Sequence, residues 1–211
     1  MNLLNINNKV IEKYTISNNR VIGGELLEYA LFGNGSDTIG LFIKPQKKYR
    51  LYTDIPLNDF TPSVDYDNSF GFDERYDSEY IFNYEEKNAN MIESSDKNGC
   101  AYSYLWGYNN KHLIAEIRNV DYNEIVNAIP CTIEQLQSKS NEELINIFQT
   151  LRNTLPHSLI TSYTYDDFDN VISITDPSGR ISKYEYDNAS RLKITRDANG
   201  DILQKYEYHY K

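Results

Sequence analysis

The fold is decided by residues 163–166, with the sequence YTYD, because this stretch returns 21 positions later as YEYD at residues 184–187. A further copy opens as YEY at residues 206–208. Side chains alternate between the two faces of a strand, so each tyrosine pair places both rings on one face. The pattern predicts a series of tyrosine-rich strands.

Turn sequences separate these strands with the same period. DPSG at residues 176–179 is matched 21 positions later by DANG at 197–200. Aspartate and asparagine hydrogen-bond their own backbone in turns, and glycine adopts a positive φ without steric cost. A single hairpin is marginal in water, so the hairpins must stack into a longer ribbon.

A degenerate copy of the repeat lies upstream. It comprises FNYE at residues 82–85, DKNG at 96–99 and YSY at 102–104, with one residue inserted in the first turn. We therefore predict a mainly β fold of tandem antiparallel hairpins that form a ribbon; the family resemblance given below implies that such a ribbon forms a partial β-shell.

The remaining chain divides into segments of different character. Residues 1–60 predict strands at 10–16, 24–32, 39–43 and 48–52, separated by Asn18-Asn19, a hairpin signal (GNGS) at 33–36 and Pro45. The stretch from Pro56 to about Phe72 predicts a long connection. We assign 1–60 to N-terminal strands, 61–120 to the degenerate repeat, 121–156 to a helical insertion and 157–211 to the repeats.

The helical insertion rests on apolar spacing and on capping signals. Residues 132–135 and 140–143 fit the capping box, and Pro130 ends the first helix. The predicted apolar positions of the two main helices are Tyr122, Ile125, Val126 and Ile129, then Leu144, Ile145, Phe148, Leu151 and Leu155.

Composition disfavours several classes of function. The net charge of −10 opposes binding to nucleic acids and docking on anionic membranes. No apolar run is long enough to span a membrane, and the first residues do not form a signal peptide. Cys100 and Cys131 could form a bridge in an exported protein, but two separate half-buried thiols are favoured.

No pattern of reactive residues indicates catalysis. His112, His157 and His209 are scattered, whereas a zinc site needs three or four convergent ligands. The aspartates in residues 166–169 lack the spacing of a calcium loop, and no nucleophile or phosphate-loop motif occurs. We predict a protein without enzymatic activity, cofactor or metal.

Aromatic residues at 102, 104, 106 and 108 are the most prominent cluster. In a strand their rings alternate onto one face, which predicts a packed cross-strand ladder. The alternative is a platform on which sugar rings stack, with Tyr104, Trp106 and Tyr108 as the ligand-stacking residues.

The repeats resemble the YD repeats of the RHS family, in which Tyr-Asp is followed by a glycine, Arg or Asn, and leucine. Residues 186–192 (YDNASRL) keep this pattern except that Ser190 replaces the glycine, and Asp169 replaces it in the preceding copy. These replacements predict a looser turn that still forms a hairpin.

A second resemblance involves YLWGYNN at residues 104–110, IAEI at 114–117 and YEYHY at 206–210. Together they are similar to the C-terminal region of YD-repeat proteins in Bacteroidetes, over roughly residues 55–211. The family implies large secreted or surface-anchored proteins whose ribbons coil into a hollow shell, some around a toxin and others for adhesion.

The resemblance implies a structural module that builds or closes such a shell, outside the cell or at its surface. Its partners would be upstream YD-repeat segments of a longer protein. The alternative is a carbohydrate-binding or adhesive module, for which glycans would be the partners. A toxin carrier is disfavoured, because Arg180 stands where carriers have leucine and no variable segment follows Lys211. The sheet edges beyond Tyr14 and Tyr210 would need covering, or the chain would oligomerise.

Overall fold

A computed structural model describes residues 11–33, 41–66 and 69–209. The chain forms two compact units, residues 1–99 and 100–211. Both are built from antiparallel strands, and the few helices lie in the second unit. The predicted fold class, mainly antiparallel β with a small helical segment, is confirmed.

The described residues of the first unit form seven strands. Five form one sheet in the order β1-β2-β3-β6-β7, and β4 pairs with β5 in a separate two-stranded sheet. Their bounds are β1 Glu12–Ser17, β2 Arg20–Phe32, β3 Phe42–Leu57, β4 Val64–Tyr66, β5 Ser69–Gly71, β6 Asp77–Tyr84 and β7 Met91–Asp96.

Pro45 does not form the predicted turn. It lies inside β3, which runs without interruption from Phe42, at the end of the first predicted strand, through the whole of the second. The pairing of β3 with β2 shifts register between Glu28 and Tyr29, opposite Pro45. A bulge at this point accommodates a residue that has no N–H to donate to the ladder. The strands that flank residues 33–36 pair as predicted, but the turn at 34–40 lies outside the described residues.

The predicted connection at residues 56–72 is also more ordered than expected, since it contains β4 and β5. Its aromatic residues explain the difference, because Phe60, Phe70 and Phe72 pack against the buried side chains of the first unit. Asp73 holds the loop: its buried carboxylate accepts hydrogen bonds from the Arg75 guanidinium at 2.7 Å and the Thr61 N–H at 2.9 Å. The core residues are Val21, Leu26, Leu51 and Tyr76.

The second unit is one antiparallel sheet whose strands follow chain order, with three helices between its second and third strands. The elements are β8 Ala101–Gly107, β9 His112–Arg118, α1 Tyr122–Ala128, α2 Ile133–Leu136, α3 Asn141–Thr154, β10 Leu159–Tyr165, β11 Val171–Thr175, β12 Ile181–Tyr186, β13 Leu192–Arg196 and β14 Ile202–Lys205.

The helices begin where the capping signals predict. Thr132 with Gln135, and Ser140 with Glu143, each form a complete capping box. The buried face of α3 differs in one position, because Ile147 is buried whereas the predicted Ile145 is only half-buried. The buried set is Leu144, Ile147, Phe148 and Leu151, which is the i, i+3, i+4, i+7 spacing of a single helix face.

The helices cover one face of the sheet over β8, β9 and β10. The strand residues of this core include Leu105, Ile114, Ile117 and Ile160, each with at most 1% of its surface exposed. Val126, which was predicted to share the buried face of α1, is 38% exposed. The opposite face of the sheet carries the tyrosine rings.

Candidate functional site

Three tyrosines, each the second of its pair, fasten one hairpin to the one before it. In every case the phenolic hydroxyl donates a hydrogen bond to a backbone carbonyl near the start of a preceding strand. The three pairs are Tyr165 with Leu113 at 2.8 Å, Tyr186 with Val171 at 2.8 Å, and Tyr208 with Leu192 at 2.7 Å. We call these hydrogen bonds the tyrosine tethers.

Burial favours the protonated form of two of the tether hydroxyls, those of Tyr165 and Tyr186. It raises the pKa of Tyr165 to about 12 and also raises the pKa of Tyr186 above its ordinary value. A protonated phenol can donate to a carbonyl, which a phenolate cannot. The tethers of Tyr165 and Tyr186 therefore persist across the neutral pH range.

The four turns between strands β10 and β14 are one repeated structure. In each turn an aspartate N–H bonds to the carbonyl four residues later, and its carboxylate accepts from the N–H groups two and four residues later. The aspartates are Asp166, Asp176, Asp187 and Asp197. The Tyr-Asp turn and the Asp-x-x-Gly turn, which look different in sequence, are thus equivalent.

The expectation of a looser turn at Asp169 and Ser190 was wrong. Both residues adopt the left-handed conformation, with φ of 68° and 55°, that Gly179 and Gly200 adopt in the other two turns. The carboxylate of the leading aspartate holds each turn closed, so it outweighs the small cost of a side chain at positive φ.

The inserted residue of the upstream copy lies where it was predicted. The Glu85 N–H bonds to the carbonyl of Asn90, five residues later instead of four. Ala89, with φ of 55°, precedes Asn90 as Asp169 precedes Asn170.

Asp169 has a second role that its sequence pattern did not reveal. Its carboxylate contacts the Nζ of Lys111 and lies 2.8 Å from the Nε2 of His112, both in the segment before the helices. Lys111 and His112 hold the pKa of Asp169 below its usual value. The contact joins the two ends of the chain segment that the helices interrupt.

Tyr104 and Trp106 lie where the sequence predicts, on the sheet face that carries the tyrosines. Together with Tyr102 they alternate along β8 with buried residues that face the helices. Across the strand pair, Tyr102 lies opposite Arg118, whose guanidinium is 5.2 Å from the ring centroid. Tyr104 pairs with Glu116.

Tyr108 does not join this row, and the prediction that all four rings share one face was wrong. Residues 108–110 all have positive φ, which turns the chain away from the strand. The Tyr108 ring packs instead against the helix-covered core. Its hydroxyl donates to Asn141 at 2.5 Å and accepts from the Tyr165 N–H at 3.0 Å. The Asn109-Asn110 pair was the signal for this turn.

Arg152 attaches the end of α3 to strands β10 and β11, on the face of the sheet that the helices cover. Its guanidinium donates to the Ile160 carbonyl at 3.0 Å, the Ser162 hydroxyl at 3.2 Å and the Thr175 carbonyl at 3.3 Å. Burial lowers the pKa of Arg152. Small hydroxyl residues on these strands leave room for the guanidinium.

The described residues contain no group of three or more His, Cys, Asp or Glu side chains able to hold a metal ion. Cys100 and Cys131 are not joined by a disulfide; Cys131 is half-buried as predicted, Cys100 is exposed, and burial raises the pKa of the Cys131 thiol. No helix in the described ranges is both long and apolar enough to cross a bilayer. Three tyrosines of the second unit form tethers, and four of its aspartates close turns.

Comparison with known proteins gives one family match. The RHS repeat family matches residues 150–181 and, in a second overlapping copy, residues 165–202. A search of curated protein sequences gives no match.

Two crystal structures of much larger chains are similar in fold. For TcdB2-TccC3-TEV the identity is 12% and the TM-score 0.43, with 82% of this chain and 7% of that chain covered. For TcdB2-TccC3-Cdc42 the identity is 11% and the TM-score 0.44, with 88% and 8% covered. The present chain thus corresponds to less than a tenth of either structure.

Proposed function

We propose that this chain, whose residues 150–202 match the RHS repeat family, is a non-catalytic structural module of a longer surface or secreted protein. Its task in this proposal is to build or close a β-shell. The upstream repeats of the longer protein would be its partners, and the resemblance to Bacteroidetes proteins stays a prediction.

The observation that carries the proposal is the set of tyrosine tethers. Each tether joins a hairpin to the preceding one through a hydrogen bond that depends on the repeat geometry. Four aspartates close the four turns between β10 and β14 in the same way. Side chains that could take part in chemistry are thereby used to hold the sheet together, which favours scaffolding over catalysis.

The last strand supports the same proposal because it is an edge that another strand could extend. All four residues of β14 are exposed, and Ile202 and Leu203 are exposed by 55% and 57%. In the described residues β14 pairs only with β13. An exposed apolar edge strand is a template for pairing with another strand.

Self-association of the full chain tests the open edge. Light scattering after size-exclusion chromatography, over a wide range of protein concentration, should show dimers or larger species. The double substitution Ile202→Lys and Leu203→Lys should reduce them, because charge on an edge strand opposes pairing. Val126→Lys, on an exposed helix position, serves as the matched control. A wild-type chain that stays monomeric at every concentration would contradict the proposal.

The second candidate is a carbohydrate-binding or adhesive module. It is favoured by the half-buried row of Tyr102, Tyr104 and Trp106 on one face of β8. Aromatic rings in such rows can stack against sugars. Since Tyr108 lies off this row, Tyr104 and Trp106 are the residues to test first.

Binding to a glycan array separates the two candidates. A glycan ligand that is lost on Trp106→Ala, with unchanged folding, and retained on Tyr108→Phe would support the carbohydrate module. Absence of binding to every glycan would reject it and leave the structural module.

A further inference from the structure

One position of the repeat is occupied by a different residue type in each of three copies, and a groove opens beside it in the middle copy. The residue at this position directly precedes the residue whose carbonyl accepts a tyrosine tether. Its side chain can reach the ring of the tethered tyrosine. The three residues in chain order are His112, Asn170 and Arg191. We call this position the ring-cover position.

Two of the three ring-cover residues stack on their tether ring. The His112 ring lies 4.3 Å from the Tyr165 ring with an interplanar angle of 15°. The Arg191 guanidinium lies 4.4 Å from the centroid of the Tyr208 ring and forms an ion pair with Asp187. In these repeats the space over the ring is filled by a planar group that is cationic or can become so.

The middle repeat lacks this cover. Asn170 is shorter than arginine, and its side chain is used to donate to the Asp166 carboxylate at 3.0 Å. A groove of about 610 Å³ opens there, lined by the rings of Phe168, Tyr184 and Tyr186. The volume falls within the range of small-ligand sites.

The groove has the charge of a cation site. Its lining residues include Asp166, Glu185 and Asp187, and none of its described lining residues is Lys, Arg or His. Glu185 and Asp187 already pair with Arg196 and Arg191, respectively. Among the described residues, Asp166 accepts hydrogen bonds only from its own turn, through the N–H groups of Phe168 and Asn170 and the Asn170 amide.

Asp166 is ionised at neutral pH. Burial opposes its ionisation, but the hydrogen bonds from Asn170 and Phe168 outweigh burial and hold its pKa below the usual range. The groove therefore combines a carboxylate without a cationic partner in its turn and an aromatic ring without the cover found in the neighbouring repeats.

We propose that this groove binds the guanidinium group of an arginine side chain presented by a partner polypeptide. The guanidinium would lie over Tyr186 and beside Asp166, as Arg191 lies over Tyr208 and beside Asp187. A planar cation gains from both the ring face and the carboxylate. Phe168, which is 79% exposed at the tip of the turn, would contact the apolar stem of the arginine.

The negative charge of the whole chain supports a basic partner. A net charge of −10 attracts basic segments over a long range and accelerates their association. A neutral sugar could stack on the same rings and donate a hydroxyl to Asp166, but it would lack the charge–charge attraction that a guanidinium has for that carboxylate.

Titration of the ¹⁵N-labelled full chain with N-acetyl-arginine methylamide tests the site directly. We expect shifts of the amide signals of Phe168, Asn170 and Asn188. The citrulline analogue, which has the same shape without the charge, should give no comparable shifts. Equal shifts with citrulline, or no shifts with the arginine probe, would overturn the proposal.

Two matched substitutions exchange the ring-cover residues. Asn170→Arg places an arginine in the groove and should weaken probe binding by roughly tenfold, the sum of a ring and a carboxylate contact. Arg191→Asn should open a second groove and add shifts near Leu192. Wild-type binding in Asn170→Arg would show that the probe binds elsewhere.

Phe168→Ala keeps the test decisive if either exchange disturbs folding. Phe168 is exposed, so its removal should leave the fold intact while it weakens binding of the arginine probe several-fold. Unchanged affinity in a folded Phe168→Ala protein would exclude this groove.

Discussion

The hydroxyl of Tyr186 donates a hydrogen bond of 2.8 Å to the backbone carbonyl of Val171, 15 residues earlier in the chain. The same bond joins Tyr208 to Leu192, 16 residues apart, although one extra residue lies between them. The pairing of β13 with β14 shifts register between Thr195 and Arg196, which absorbs that residue. The tether is thus kept by the geometry of the sheet even where the sequence spacing changes.

Loss of a tether should destabilise the second unit by a small, defined amount. Tyr186→Phe removes the hydroxyl and leaves the Val171 carbonyl without this donor, at a cost of about 1 kcal/mol in the free energy of unfolding. Urea denaturation followed by far-ultraviolet circular dichroism measures the change. Tyr184→Phe is the control, because the tethers among the described residues come from Tyr165, Tyr186 and Tyr208 and not from Tyr184. Equal effects of the two substitutions would contradict the assignment.

Acid should weaken the second unit through the turn aspartates. The Arg191 guanidinium and the turn N–H groups lower the pKa of Asp187 from 3.8 to about 2 in the folded chain. A depressed folded pKa means that the contribution to stability is present above about pH 4 and is lost as the pH falls toward about 2.

Asp187→Asn should therefore flatten the pH dependence of the urea midpoint between about pH 4 and pH 2. Asparagine keeps a side-chain oxygen for the turn N–H groups but carries no charge to pair with Arg191. Asp167→Asn, on an exposed position of the equivalent turn, should leave the dependence unchanged. A wild-type slope in Asp187→Asn would show that the ion pair contributes nothing.

Gly107 should not tolerate a side chain. A Cβ atom at this position would lie 2.8 Å from Cγ2 and 3.0 Å from Cδ1 of Ile114, which is fully buried. Gly107→Ala should lower the free energy of unfolding by about 1–3 kcal/mol through overpacking. Gly71→Ala is the control, since its Cβ would meet Val64 at an ordinary 3.7 Å. A Gly107→Ala protein as stable as wild type would mean that Ile114 can move aside.

The face that α3 turns to the sheet can be tested with two neighbouring isoleucines. Ile147→Ala removes a buried side chain and should cost about 2–4 kcal/mol in the free energy of unfolding. Ile145→Ala, at a half-buried position, should cost less than half as much. Thermal denaturation of both variants measures the two losses of stability. A larger loss in Ile145→Ala than in Ile147→Ala would support the buried face predicted from the sequence.

Local patterns in the sequence were sufficient to predict several elements. The repeat of YTYD and YEYD predicted the hairpins of β10–β13, and the capping boxes at Thr132 and Ser140 predicted where α2 and α3 begin. These predictions succeed because alternation and capping depend on neighbours within a few residues. The separate roles of the segments at 1–60, 61–120, 121–156 and 157–211 stay predictions.

Other features could not be found in this way. Pro45 suggested a turn because proline interrupts most strands. The bulge that accommodates it inside β3 becomes visible only when β2 is paired with β3. Tyr108 was grouped with Tyr104 and Trp106 because spacing does not record the positive φ of residues 108–110. Asp169 looked like a replaced glycine, and its contacts with Lys111 and His112 join residues more than fifty positions apart.

By itself, the sequence determined that this chain is a series of antiparallel hairpins with an inserted group of helices. The tertiary structure alone decided which carbonyl each tyrosine tether reaches, which rings share a face, and which ring has no cover. The physical reason is that strand alternation and turn chemistry act over a few residues, whereas a tether or a groove requires strands to be aligned in a register. That register is fixed only when the whole sheet is assembled.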